Sequence, residues 1–160
     1  MIILGIDPGI ADTGWGLIEK NPQGNVFHLA HGSIQTPKAS NLPGRLASLY
    51  TQLNEIIDEY QPQAAAIEEL FFSKNVKTAL IVGQARGVIL LALKNKKISI
   101  NEFKPTQVKQ AVAAYGQAGK LQVQKMVRLL LNLKEIPKPD DAADALALAI
   151  CLSAIKNYGQ

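Results

Sequence analysis

The sequence predicts an α/β fold, a mixed five-stranded sheet with helices on both faces. Three observations carry this. Short apolar runs bounded by turn residues are followed by longer segments with apolar residues at spacings of three and four. The first three runs succeed one another through short connections, as an antiparallel meander does. The order βββ-α-β-α-β-ααα then indicates a mixed sheet covered on both sides. At 160 residues, one domain spanning 1–160 is expected.

Residues 2–7, Ile-Ile-Leu-Gly-Ile-Asp, form the first run, ended by Asp7-Pro8-Gly9. They read as a buried strand followed by a turn. Residues 14–19 and 26–36 read as two more strands, joined at Asn21-Pro22-Gln23-Gly24. Leu42, Leu46, Leu49, Leu53, Ile56, Ile57 and Tyr60 then mark an amphipathic helix that stops before Pro62. Residues 63–68 are a fourth strand. Residues 75–94 are a long helix, apolar on more than one face, as expected of a helix that is deeply buried or shared with another subunit. Residues 98–103 are a fifth strand. Helices are expected near 105–115, 121–133 and 141–157, with Pro137 and Pro139 just before the last.

Composition excludes several classes. With 48% apolar residues the chain is not disordered, and 12 Gly and 8 Pro do not make a collagen repeat. Cys151 is the sole cysteine, so there is no disulfide framework, and a reducing, cytoplasmic setting fits. The N-terminus shows no signal-peptide pattern, and no uninterrupted apolar run approaches the roughly 18 residues of a membrane span. No membrane partner is expected.

Charge is segregated. Residues 1–69 hold 8 acids and 3 bases, residues 70–134 hold 12 bases and the single acid Glu102, and residues 135–160 carry a net −2. A basic segment between two acidic ones fits a polyanionic partner such as nucleic acid. A solvated lysine face would show the same counts.

Four acids stand out. Asp7 ends the first strand and Glu68 the fourth. The carboxyl ends of strands in open α/β sheets are where ligands bind. If the two strands are neighbours, both acids meet at one rim. Strand alternation keeps Glu69 from sharing that direction. Asp141 and Asp144, three apart, share one face of an otherwise apolar helix. Each acid alone has a plainer role. Asp7 can cap its turn, Glu68 can sit on the surface, and Asp141 can complement a helix dipole, although that effect fades by Asp144. Together they suit hard divalent cations, two of which can serve an in-line phosphoryl displacement by water. No other catalytic set competes. His28 and His31 read as ordinary strand histidines, and the chain has no Cys/His zinc cluster and no G-x-x-x-x-G-K-[ST] loop.

Five ordered motifs carry a family resemblance. They are Gly5-Ile6-Asp7-Pro8-Gly9 with Thr13-Gly14-Trp15-Gly16, Ala66-Ile67-Glu68-Glu69-Leu70-Phe71, Gly83-Gln84-Ala85-Arg86-Gly87, Gln107-Val108-Lys109-Gln110 and Asp141-Ala142-Ala143-Asp144-Ala145. In this order, from residue 3 to about 150, the chain resembles RuvC-type Holliday-junction resolvases. The resemblance implies an RNase H-like fold and a metal-dependent endonuclease that makes paired symmetric nicks in four-way DNA junctions. It implies Asp7, Glu68, Asp141 and Asp144 as catalytic, magnesium-binding acids, with two Mg2+ per site and Mn2+ as a substitute. Asp144 is the ligand that some members replace with His. Lys109 and Lys120 match lysines near the DNA backbone, and Phe71 matches an aromatic that contacts unpaired or unstacked bases. Lys74 is a further DNA-binding candidate. Implied partners are a second copy of the chain and the RuvA–RuvB branch-migration complex. Surface solubility is the plainer role of Lys109 and Lys120, and core packing that of Phe71 or Phe72.

Other classes remain to be weighed. An actin-like or sugar-kinase ATP site needs a second Asp-x-Gly half, for which this chain is too short. An RNase H-like nuclease acting on RNA, or a non-catalytic junction-binding module, would share much of the pattern. Retention of four acids argues against the module, because crowded like charges without a cation are costly.

Overall fold

The computed structural model describes residues 1–70 and 76–155. Strand β1 (Ile2–Asp7) lies at the centre of the sheet because it is apolar on both faces. Ile3 points into one core, and Leu4 and Ile6 into the other. β2 (Asp12–Lys20) and β3 (Val26–Gln35) continue from it as an antiparallel meander. β4 (Ala64–Glu68) pairs with β1 in parallel, and β5 (Ser99–Phe103) pairs with β4 in parallel. The sheet order is β3-β2-β1-β4-β5. This is the five-stranded mixed sheet that the sequence predicts.

Helices cover both faces. α1 (Leu42–Tyr60) starts where the Asn41 side chain accepts the Gly44 N–H at 2.9 Å. It buries Leu49, Leu53 and Ile57 against Leu4, Ile6, Leu17 and Ile34. α2 (Val76–Asn95) joins the same core through Ala85, Ile89, Ala92 and Leu93. On the opposite face, α3 (Pro105–Ala113), α4 (Lys120–Leu130) and α5 (Asp140–Ser153) enclose a core with Ile3, Ile18, Val108, Val123, Val127, Leu146 and Leu152.

α5 reaches the sheet because glycines leave room for it. A Cβ on Gly5 would lie 1.8 Å from the Ala145 carbonyl oxygen, and one on Gly14 would lie 2.0 Å from that of Asp141. The helix backbone therefore rests on the strand backbones at two points. That contact brings its first turn to the carboxyl end of β1.

Some element ends differ from the sequence reading. β2 begins two residues earlier, at Asp12, and α3 stops at Ala113 because Ala114 takes a left-handed conformation, φ 55°. α2 is neither fully buried nor evenly apolar at its surface. It exposes Val76 (63%), Leu80 (62%) and Leu91 (55%) while burying its other side. By length and a mean hydropathy of 1.6, α2 could cross a membrane, but in this fold it packs on α1 and the sheet. Cys151 is buried in the α3–α5 core, and burial pushes its thiol up to about 11, which makes it unreactive near neutral pH.

Candidate active site

The parallel pairing of β1 with β4 aligns Ile6 with Ile67. Asp7 and Glu68 therefore end adjacent strands at the same rim. The N-terminal end of α5 arrives there from the α3–α5 side and brings Asp141 in its first turn and Asp144 one turn later on the same face. One carboxylate oxygen each from Asp7, Asp141 and Asp144 lies within 4.8 Å of the others. Glu68 is outside that tight trio, but it lines a cavity of about 290 Å³ together with Asp7, Asp144, Lys109 and Lys120. Pro105, Val108, Val123, Ala147 and Leu148 form its apolar wall.

The electrostatics follow from this crowding. Asp7 is pushed up to about 7, first by burial and then by the negative charges of Asp144, Glu68 and Asp141, with Lys120 opposing. Burial, then Asp144, raises Glu68, while Lys109 holds it down. Asp141 is also raised, chiefly by burial, against the pull of Lys120. Lys120 sits at the start of α4 with its Nζ 3.0 Å from Asp144 Oδ2 and 3.8 Å from Asp140 Oδ2. Its hydrogen bond to Asp144 holds the ammonium above the usual lysine range. Two lysines thus offset part of a cluster of four acids.

An all-carboxylate donor set on three rigid elements suits a hard divalent cation, which takes oxygen ligands. The upward displacement of Asp7, Glu68 and Asp141 has the sign that a bound cation would reverse.

Of the sequence-predicted site residues, the structure brings together Asp7, Glu68, Asp141, Asp144, Lys109 and Lys120. Phe71 and Lys74 lie outside the described residues. Glu69 follows the last residue of β4, so strand alternation does not govern it. It lines a neighbouring cavity of about 240 Å³ with Asp7, Glu68 and Arg86. His28 and His31 are bonded to each other at 2.7 Å between Nε2 and Nδ1. A register shift in the β2–β3 pairing leaves Leu29 without a partner, so residues three apart share one side of the strand.

Sequence reasoning missed Arg86. It occupies one of the quoted motifs, but nothing local says where it points. From α2 its guanidinium reaches the Glu68 carbonyl oxygen at 3.4 Å and forms an ion pair with Glu102 on β5. It braces the end of β4 from behind, next to a catalytic candidate.

Comparison with known proteins adds to this geometry. Residues 3–152 match the family model described as crossover junction endodeoxyribonuclease RuvC. The chain is 57% identical over 160 residues to the crossover junction endodeoxyribonuclease RuvC of Heliobacterium modesticaldum, covering 99% of this chain and 98% of that one. It is 58% identical over 152 residues to the corresponding protein of Chloroflexus aggregans, covering 94% and 92%. Among solved structures it is similar to T. thermophilus RuvC in complex with Holliday junction substrate, with a TM-score of 0.89 and 35% identity over 94% of this chain and 92% of that one. The yeast mitochondrial Holliday junction resolvase Ydc2 shares the fold at a TM-score of 0.69 and 14% identity, covering 94% of this chain and 77% of that one.

Proposed function

The chain belongs to the RuvC family of crossover junction endodeoxyribonucleases, and from this premise we propose that Asp7, Glu68, Asp141 and Asp144 are its catalytic, metal-holding acids. The protein is a metal-dependent endonuclease that resolves four-way DNA junctions by paired symmetric nicks. Water attacks the phosphodiester and leaves a 5′ phosphate and a 3′ hydroxyl. The reaction serves homologous recombination and DNA repair. The observation that carries the site assignment is the trio of Asp7, Asp141 and Asp144 carboxylates within 4.8 Å at the strand-end rim, with Glu68 lining one cavity with Asp7 and Asp144.

Mg2+ is the proposed cation, two per site, with Mn2+ able to replace it; bound there, it would activate the attacking water and neutralise charge on the leaving 3′ oxygen. The chain's own residues set up the rest. Asp7 and Glu68 are fixed by the sheet, and Asp141 and Asp144 by the first two turns of α5, so the acids do not need to be assembled when substrate arrives. Lys120 holds Asp144 in place and, with Lys109, offers positive charge to a phosphate entering the cavity. Asp7 is also where a cation is most needed, since its ionised form is disfavoured in this crowd of acids. That favours a metal enzyme over a binding module. Phe71 and Lys74 are proposed as further DNA contacts on sequence and family resemblance.

Symmetric cutting needs two sites related by a two-fold axis, which a homodimer provides. We assign the interface to the exposed side of α2. Val76, Leu80, Gly87 and Leu91 recur there at spacings of four, seven and four, so they form one stripe. Nothing lies within 4 Å of a Cβ built on Gly87, which leaves room for close approach of a second helix. The RuvA–RuvB branch-migration complex and a cytoplasmic location follow from the same family reading, as does action of residues 1–160 as one domain.

The test is incubation with a synthetic four-way junction and, separately, a linear duplex, with and without magnesium. Paired nicks in the junction alone, present only with the metal, are expected. Metal-independent cutting would refute the assignment of the acids.

A further inference from the structure

A second basic site lies away from the catalytic cavity. The C-terminal half of α4 and the segment leading to α5 enclose a cleft of about 480 Å³ lined by Lys125, Arg128, Leu129, Lys134, Ile136 and Lys138, with Glu135 as its one acid. Among the described residues, none of these four cations takes part in an ion pair. Leu129, 60% exposed, contributes to an apolar wall. Four unpaired cations around one concavity repel one another in the free protein, so the cleft is built to receive negative charge.

We propose that this cleft binds backbone phosphates of a junction arm, several nucleotides from the cut. This rests on the junction-nuclease reading above. Two observations favour nucleic acid over an acidic peptide. The first is that a single helix links the cleft to the catalytic cavity. α4 begins at Lys120, bonded to Asp144, and runs to Arg128 in the cleft, about 12 Å at 1.5 Å per residue. That span matches roughly three to four base pairs of duplex at 3.4 Å each. The second is the extent of the charge. From Lys104 to Lys138 the chain carries seven bases and only Glu135 against them, with Lys109 and Lys120 at the catalytic end. A ligand that engages both ends is a long polyanion. Apolar Leu129 and Ile136 then meet the sugars between phosphates. Because the catalytic acids themselves repel DNA, binding charge placed off the site holds an arm without neutralising the acids.

The experiment uses the full chain and junctions with long arms, in chelator so that binding is read without cutting. The triple variant Lys125→Ala, Arg128→Ala, Lys134→Ala is compared with the unaltered protein across a salt series. Each lost phosphate contact removes about 0.9 from the slope of log K against log salt, so the variant slope is expected to be shallower by roughly 2–3 and the affinity weaker by roughly tenfold or more. Restoring charge with Lys125→Arg and Lys134→Arg, Arg128 kept, should recover both values, which a loss of folding would not explain. Neutral methylphosphonates placed three to eight nucleotides from the scissile phosphate should weaken the unaltered protein and leave the triple variant unchanged. Wild-type affinity and slope in the triple variant would overturn the proposal and leave the cleft to an acidic protein partner. Failure of the unaltered protein to bind junctions at all would instead sink the nuclease reading.

Discussion

Asp7→Asn should abolish cutting and yet stabilise the metal-free protein, more at high pH than at low. The folded Asp7 carboxyl sits at about 7 against an ordinary 3.8 because of burial and its acidic neighbours. The fold therefore prefers Asp7 protonated. Its stabilising contribution is complete below about pH 4 and is lost as pH rises through 7. The full loss corresponds to roughly 4 kcal/mol. By pH 5 about 1.7 kcal/mol is gone, and about 2–3 kcal/mol more goes between pH 5 and pH 8. Asparagine cannot ionise, so the variant escapes this loss. At about 2–4 °C per kcal/mol for a chain of this size, its advantage in melting temperature should grow by roughly 5–10 °C from pH 5 to pH 8 in chelator. Magnesium at pH 8 should raise the melting temperature of the unaltered protein by binding the folded state, and raise the variant's less. Thermal melts of both proteins at the two pH values provide the assay. An advantage that is the same at pH 5 and pH 8 would refute the claim that burial and acidic neighbours disfavour the ionised form of Asp7.

Lys120→Ala removes the partner of Asp144 at 3.0 Å and a cation from the cavity wall, so junction cutting should slow and the salt slope of binding should fall by about 1; an unchanged rate and slope would make Lys120 a surface lysine. Gly14→Ala places a Cβ 2.0 Å from the Asp141 carbonyl oxygen, and lifting α5 away should cost at least about 1–3 kcal/mol and weaken metal binding. A calorimetric metal titration that matches the unaltered protein would show that the close approach does not position Asp141. Leu80→Glu on the exposed side of α2 should shift sedimentation from dimer to monomer and end paired cutting, whereas an intact dimer would move the interface off α2.

Much of the fold is legible because its signals are local. The apolar runs at 2–7 and 63–68 have the length of buried strands, and Pro62 marks the end of α1. The site is half legible for the same reason. Asp7 and Glu68 stand at strand ends, and Asp141 and Asp144 share a helix face by spacing alone. What brings α5 to the rim is not local. It depends on Gly5 and Gly14 meeting the backbone of residues more than a hundred positions away, a contact no periodicity records. Arg86 was invisible for a related reason, since its partners Glu68 and Glu102 lie on two other elements. The exposed stripe on α2 was hidden by composition. A helix with apolar residues on several sides reads equally as buried or as shared with another subunit, and only the packing of Ala85, Ile89 and Leu93 shows which side is left over. The basic cleft at the end of α4 cannot be told in sequence from a solvated lysine face because its cations are scattered over fourteen positions, from Lys125 to Lys138.

The most direct test of the central claim is an anomalous diffraction map from crystals soaked in manganese. The account expects peaks within ligand distance of carboxylate oxygens of Asp7, Glu68, Asp141 and Asp144, lost in Asp7→Asn together with cutting. A protein that cuts junctions while manganese binds elsewhere, or while the four acids stay metal-free, would contradict it.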